Sequence, residues 1–302
     1  MKVPPAQGHG GDGARVARAL GLDPASILDL SQSLNPVAVD PRTIVAAHLD
    51  ALGRYPDPST ARDALADAMN VDPDRLLLTN GGAEAIALVA ARLGGSVVEP
   101  EFSLHPRGDG PLWRSNPHSP SGLLAAKDDR AVVWDEAFYP LATGQWTRGD
   151  TEAVVVGSLT KVLACPGLRV GYVLATSSFI ADLRASQYEW SLNGLAADAL
   201  PDLLATLDLE HDAVRIRALR AQLADLLATH GWHAHPSDAN WLLVDAPGLR
   251  EALAPTGVVV RDCASFGLDG VVRIAVPNES GLTRLGEALE SIRSSTHHQG
   301  EQ

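Results

Sequence analysis

The chain has 302 residues, 45% of them hydrophobic and 20% charged, which describes a globular protein of one or two domains with room for a sizeable core. Its formal net charge of -13 leaves no basic face to neutralise a run of phosphates, so nucleic acid is excluded as the expected partner and a small-molecule enzyme is favoured. Only Cys165 and Cys263 are present, too few for a disulfide framework and without metal-ligand spacing, which points to a reducing, cytoplasmic compartment and no metal.

Residues 1–70 open with "MKVPPAQGHGG", which lacks an apolar stretch of signal-peptide length. They continue through turn signals at "LDPAS", "LNPVAVDP" and "YPDPST" between short helices, an N-terminal arm rather than a complete domain. From Leu76 the pattern changes to short apolar runs alternating with helical segments: "RLLLT", the helix "GGAEAIALVAARL", then "SVVEP", "AVVWDEA", "AVVVGS" and "GLRVGYVLA". That alternation predicts an α/β fold with a mainly parallel sheet, the large domain, over 71–205. A helical region from about Asp208 to Thr229 follows. The strands "NWLLVDA", "GVVVRDC" and "VVRIAVP", with helices near "LREALA" and "SGLTRLGEALESIRS", then form a smaller α+β domain over 206–295. Residues 296–302 are polar and aperiodic, a disordered tail. No run approaches the ~18 to 20 apolar residues of a membrane span. His230, His233 and His235 in "HGWHAHP" fall in a polar turn rather than a metal site.

Chemistry concentrates in "GSLTKVLACPGLRVGY". Lys161 stands at the end of an apolar strand, where an amine is costly unless it is neutral or bonded, and a desolvated lysine is a good Schiff-base nucleophile; a surface loop lysine is the plainer account. Ser158 and Arg169 on either side place a hydroxyl and a guanidinium to converge on one anion. Upstream, "TNGGAEAI" sets two glycines at a strand-to-helix junction, either a simple turn or a helix start whose free N–H groups bind a phosphate. Asp135 ends the run "AVVW" at the sheet's C-terminal edge, where it either caps a helix or holds a cationic ring nitrogen protonated.

Taken together these segments resemble the fold-type I pyridoxal-phosphate enzymes of the aminotransferase class I/II family, over nearly the whole chain. "SLTKVLACPGLRVGY" is similar to its S-x-x-K lysine segment, "WDEAFYPL" to its D-x-A-Y/F segment and "TNGGAEAI" to its phosphate-cradling helix start. The resemblance implies pyridoxal 5'-phosphate as cofactor, bound covalently by Lys161. It implies Asp135 on the pyridine nitrogen, and Gly82, Ala83, Ser158 and Arg169 on the phosphate. It implies that Tyr55 of "RYPDP" reaches the phosphate of a neighbouring subunit, hence a homodimer with shared sites, although a structural tyrosine remains an alternative. The ring-stacking residue comes from "EPEFSLH", with Phe102 the better match and His105 the weaker. Arg273 in "VVRIAVP" matches the arginine for the substrate carboxylate, and Arg261 a second anion contact.

Within the family the chain resembles most the cobalamin-pathway threonine-phosphate decarboxylase and histidinol-phosphate aminotransferase group, through "GHGGDGARVARALG" and "ILDLSQSLNP", which imply His9 and Asn35 at the substrate mouth. It departs from the pattern at "NPHSPSG", where Ser119 replaces an asparagine that bonds the ring hydroxyl, at Phe138 in place of a tyrosine, and at Ser33. The expected activity is decarboxylation of a phosphothreonine-like substrate, with histidinol-phosphate-type transamination as the alternative and a noncatalytic cofactor-binding protein as a second.

Overall fold

The computed structural model describes residues 2–150 and 152–299, with side chains through residue 294. In chain order it contains α1 (Gly13–Leu20), β1 (Leu28–Asp29), α2 (Arg42–Ala46), α3 (Ser59–Met69), β2 (Leu76–Thr79), α4 (Gly81–Leu93), β3 (Trp113–Ser115) and β4 (Val133–Asp135). There follow α5 (Tyr139–Thr143), β5 (Val154–Ser158), α6 (Leu159–Val162), β6 (Gly171–Leu174), α7 (Ser177–Ser186), α8 (Gly194–Leu204) and α9 (Leu209–Thr229). The last are β7 (Trp241–Asp245), α10 (Leu249–Leu253), β8 (Val258–Val259), β9 (Arg261–Asp262), β10 (Val271–Ala275) and α11 (Glu279–Gln299); of the tail expected beyond residue 295, positions 300–302 lie outside the described residues.

The chain divides into two units, of which the larger comprises residues 37–119 and 124–214. Its five-stranded sheet has the order β2-β6-β5-β4-β3, and every strand but β6 runs the same way. Strand side chains alternate between faces, so a sheet covered on both sides needs apolar residues at every position. The strands comply: Leu77, Val133, Val154, Val156 and Val173 pack with Ala85, Val89, Ile180 and Leu183 on one face. Leu76, Leu78, Trp134, Val155 and Leu174 pack with Leu65, Ala196 and Leu200 on the other. One stretch departs from expectation. "SVVEP" forms no strand, contributing only an isolated bridge from Ser96 to Leu112.

The other unit comprises residues up to Pro36, Pro120–Leu123, and Arg215 onward. It holds an antiparallel sheet of order β7-β10-β9 and a parallel β1–β8 pair. "GVVVRDC", expected as one strand, is therefore two: Val258 and Val259 pair with Leu28 and Asp29, whereas Arg261 and Asp262 pair with β10. Of the three histidines in the turn before β7, His235 meets Asp245 at 2.9 Å. Among the described residues no group of side chains has the makings of a metal site, and no helix is long and apolar enough to cross a membrane.

Candidate active site

Most of the expected cofactor residues fall at the ends of the large unit's strands. At the turn from β2 into α4, Gly81 adopts φ +73°, and a Cβ there would run into the Arg169 guanidinium, so this position demands glycine twice over. The Cβ position of Gly82 lies 3.4 Å from that of Ser158. Arg169 itself sits in the left-handed region at φ +57°. The structure thus gathers a bare helix start, a hydroxyl and a guanidinium at one point. The first amides of α4, among them those of Gly82 and Ala83, have no partner within the helix, and the helix dipole favours a negative charge there.

Lys161 lies in α6, one short turn beyond the last residue of β5, rather than at the strand end itself. That helix is tied down where Leu159 and Thr160 donate to the carbonyl of Val170 at 3.1 and 3.3 Å. The Lys161 amine stands over the Phe138 ring, 5.6 Å from its centroid. Tyr172 lies across from Gly157 in the β5–β6 pair, with its ring where a Cβ on Gly157 would go; its hydroxyl is buried without a partner, and burial raises its pKa.

Asp135 ends β4 and is 8% exposed. One carboxylate oxygen accepts the Ala137 amide at 3.0 Å and the other meets Nε2 of His105 at 2.9 Å. His105 was the weaker candidate for ring stacking; here its side chain is fully enclosed and edge-on to Phe102 at 5.6 Å. Arg107 fastens this turn by donating to the carbonyls of Glu101, Phe102, Ser103 and His105. Phe102 is partly buried against the core that includes Trp113 and Val156. Ser119 is buried and its amide donates to the Ser115 hydroxyl at 2.7 Å. Tyr55 stands apart, 75% exposed and stacked at a tilt on Trp190, with centroids 4.5 Å apart.

The proposed substrate residues belong to the other unit. The β9–β10 register sets Arg261 directly opposite Arg273, so the two side chains leave the sheet on one face. Both are buried, and in both Nε has no hydrogen-bond partner. Burial, and after it the charge of Arg261, pushes Arg273 down to about 9; burial also lowers Arg261. Arg261 lies over Phe266 and donates to the Gly8 carbonyl, and Arg273 lies over Trp241. Partial burial first, then Arg261, holds His9 below the ordinary histidine range. Asn35 is buried in the same unit.

Sequence reasoning missed three buried polar residues. Glu101 and Ser115 bond each other beside His105, and Glu136, next to Asp135, is pushed up to about 7 chiefly by burial. The sole signal was acidic residues inside apolar stretches, at "VVEPEF" and "VVWDEA".

These groups suit pyridoxal phosphate. The Gly81 cradle, which a Cβ would fill, takes a phosphate ester, the buried Asp135 carboxylate suits a protonated ring nitrogen, and the Lys161 amine suits an aldehyde.

Comparison with known proteins gives concordant results. Residues 112–289 match the family model described as Aminotransferase class I and II. A histidinol-phosphate aminotransferase of Symbiobacterium thermophilum is 29% identical, over 91% of this chain and 92% of the relative. A threonine-phosphate decarboxylase of Salmonella typhimurium is 28% identical, over 94% and 97%. The crystal structure of the histidinol-phosphate aminotransferase from Clostridium acetobutylicum superposes with a TM-score of 0.76 at 22% identity, covering 88% of this chain and 99% of that one.

Proposed function

Because the chain belongs to the aminotransferase class I and II family, pyridoxal 5'-phosphate-dependent enzymes that transaminate or decarboxylate amino compounds, we propose that it removes carbon dioxide from an amino acid bearing a phosphate ester, of the L-threonine O-3-phosphate type. The observation that carries this reading is the opposed, buried pair Arg261 and Arg273. Two guanidiniums on one face repel each other and have lost solvent, a cost that an anionic ligand offsets. A substrate with both a carboxylate and a phosphate answers both charges at once.

In this reading Gly82, Ala83, Ser158 and Arg169 hold the cofactor phosphate, Ser119 its ring hydroxyl, Asp135 its ring nitrogen and Phe102 its ring face. Lys161 carries it covalently, and Tyr55 reaches the phosphate in a neighbouring subunit. Bound there, the cofactor supplies a sink for the electron pair released when a bond at Cα breaks. Asp135, oriented by His105 and the Ala137 amide, keeps the ring nitrogen protonated by offering its negative charge. Arg273 holds the substrate carboxylate, Arg261 with His9 the phosphate, and Asn35 the substrate mouth. Lys161 delivers a proton to Cα after carbon dioxide leaves. The same reading makes the product a contribution to cobalamin biosynthesis, and the enzyme a cytoplasmic homodimer.

Incubation with L-threonine O-3-phosphate alone, followed by mass spectrometry, tests it: aminopropanol phosphate without added keto acid is the expected product. The 29% identity to a histidinol-phosphate aminotransferase favours a second reading, transamination. Glutamate formed from 2-oxoglutarate and histidinol phosphate, with threonine phosphate left intact, would replace the first reading by the second.

A further inference from the structure

The turn before β3 buries a carboxylate that none of these roles uses. Glu101 is 3% exposed, and a glutamate so enclosed needs bonded partners. Its oxygens accept the Phe102 amide at 2.8 Å, the Ser115 amide at 2.9 Å and the Ser115 hydroxyl. One of them lies 3.8 Å from Nδ1 of His105, a buried nitrogen with no hydrogen-bond partner. On its other side the imidazole must donate from Nε2 to Asp135, since a carboxylate offers only lone pairs. Glu101 and Asp135 thus face opposite edges of one buried imidazole. A second arm leaves the same carboxylate: the Ser115 hydroxyl, donating to Glu101, accepts the Ser119 amide at 2.7 Å. Ser115 also pairs with Asp135 in the β3–β4 register.

We infer that Glu101 is a positioning residue that governs two groups of the proposed cofactor site together, Asp135 through His105 and Ser119 through Ser115. The inference rests on the assignment of Asp135 and Ser119 to the ring of pyridoxal phosphate. One buried negative charge then sets the surroundings of the ring at both its nitrogen and its hydroxyl.

Glu101→Gln removes the charge and keeps the shape and an acceptor oxygen. In the holoenzyme, the absorption maximum of the lysine-bound cofactor and the cofactor dissociation constant are read side by side. The variant is expected to shift the maximum and to weaken retention about tenfold, the scale on which outer partners act on metal ligands. Glu101→Asp, which restores the charge, is expected to recover part of both. In a His105→Gln background the substitution is expected to move the absorption maximum less than it does in the wild-type background, the remainder being the share carried through Ser115 and Ser119. A Glu101→Gln protein with wild-type spectrum and retention overturns the inference, and a spectral effect undiminished in the His105→Gln background overturns the route through the ring. If Glu101→Gln does not fold, His105→Gln and Ser115→Ala cut the two arms singly, and wild-type spectra in both overturn the inference. Failure of the underlying reading looks different: a wild-type chain that takes up no chromophore, or one whose borohydride-reduced adduct maps elsewhere than Lys161, rejects the cofactor site and the inference with it.

Discussion

At Lys161 the physical demands are unusual, since the residue is half-buried in the short helix that follows β5 and its amine is held over an aromatic face. Lys161→Ala is expected to abolish turnover and the borohydride-fixable chromophore together, with circular dichroism unchanged; normal turnover without added amine would remove the lysine from the chemistry. Arg273 makes the opposite kind of demand. Burial, and after it the charge of Arg261, draws its pKa down to about 9, a penalty larger than the ~2 kcal/mol at most that the Trp241 face returns. Arg273→Met is therefore expected to raise the melting temperature of the ligand-free protein, by on the order of 1–4 kcal/mol in stability, while destroying activity on threonine phosphate. A destabilised variant would show that Arg273 serves packing rather than substrate. The glycine pair, Ser158, Lys161 and Arg169 were legible in the sequence because each lies within a few residues of a strand end. The Asp135–His105 bond was not, because it joins residues 30 apart and nothing in local periodicity records it.

Elements follow the same division. β2, β4, β5, β7 and β10 with α4 and α9 were readable because each is a run of apolar residues with its own period. "GVVVRDC" was not readable as two strands, since its break after Val259 depends on which partner each half finds: β1 for the first, β10 for the second. The segment after β4 shows what the folded element adds to a side chain. Glu136 accepts the Arg148 amide at 3.2 Å, fastening the 147–150 stretch, yet burial raises it from 4.5 to about 7. The native state then holds a proton that the unfolded chain releases near 4.5. The contribution is fully present below that value and is lost as pH rises through about 7. Its upper size is about 3 kcal/mol. Glu136→Gln, which keeps the acceptor, is expected to flatten the fall in melting temperature between pH 5 and 8; an equal fall in both proteins would place the pH dependence elsewhere.

At the scale of the whole molecule, the proposed homodimer is tested through Tyr55. Tyr55 and Trp190 are 75 and 57% exposed and stack on each other, leaving an aromatic pair open to solvent. If Tyr55 reaches the cofactor phosphate of the neighbouring subunit, Tyr55→Phe removes one charge-assisted hydrogen bond and weakens cofactor retention by roughly 1.5 to 3 kcal/mol. Dimerisation itself is expected to survive, because the ring and its contact with Trp190 remain. A mixed dimer then decides the arrangement. Pairing one Tyr55→Phe chain with one Lys161→Ala chain puts both lesions in a single pocket when sites are shared, leaving the other pocket with a wild-type lysine and a wild-type tyrosine. Each mixed dimer is expected to show one site with wild-type cofactor affinity and half the turnover of the wild-type dimer. If each chain instead supplies its own tyrosine, the lesions separate, one pocket lacking the lysine and the other the phenol. Cofactor titration of the purified mixed dimer distinguishes the two, and the absence of any wild-type-affinity site rejects the exchanged tyrosine.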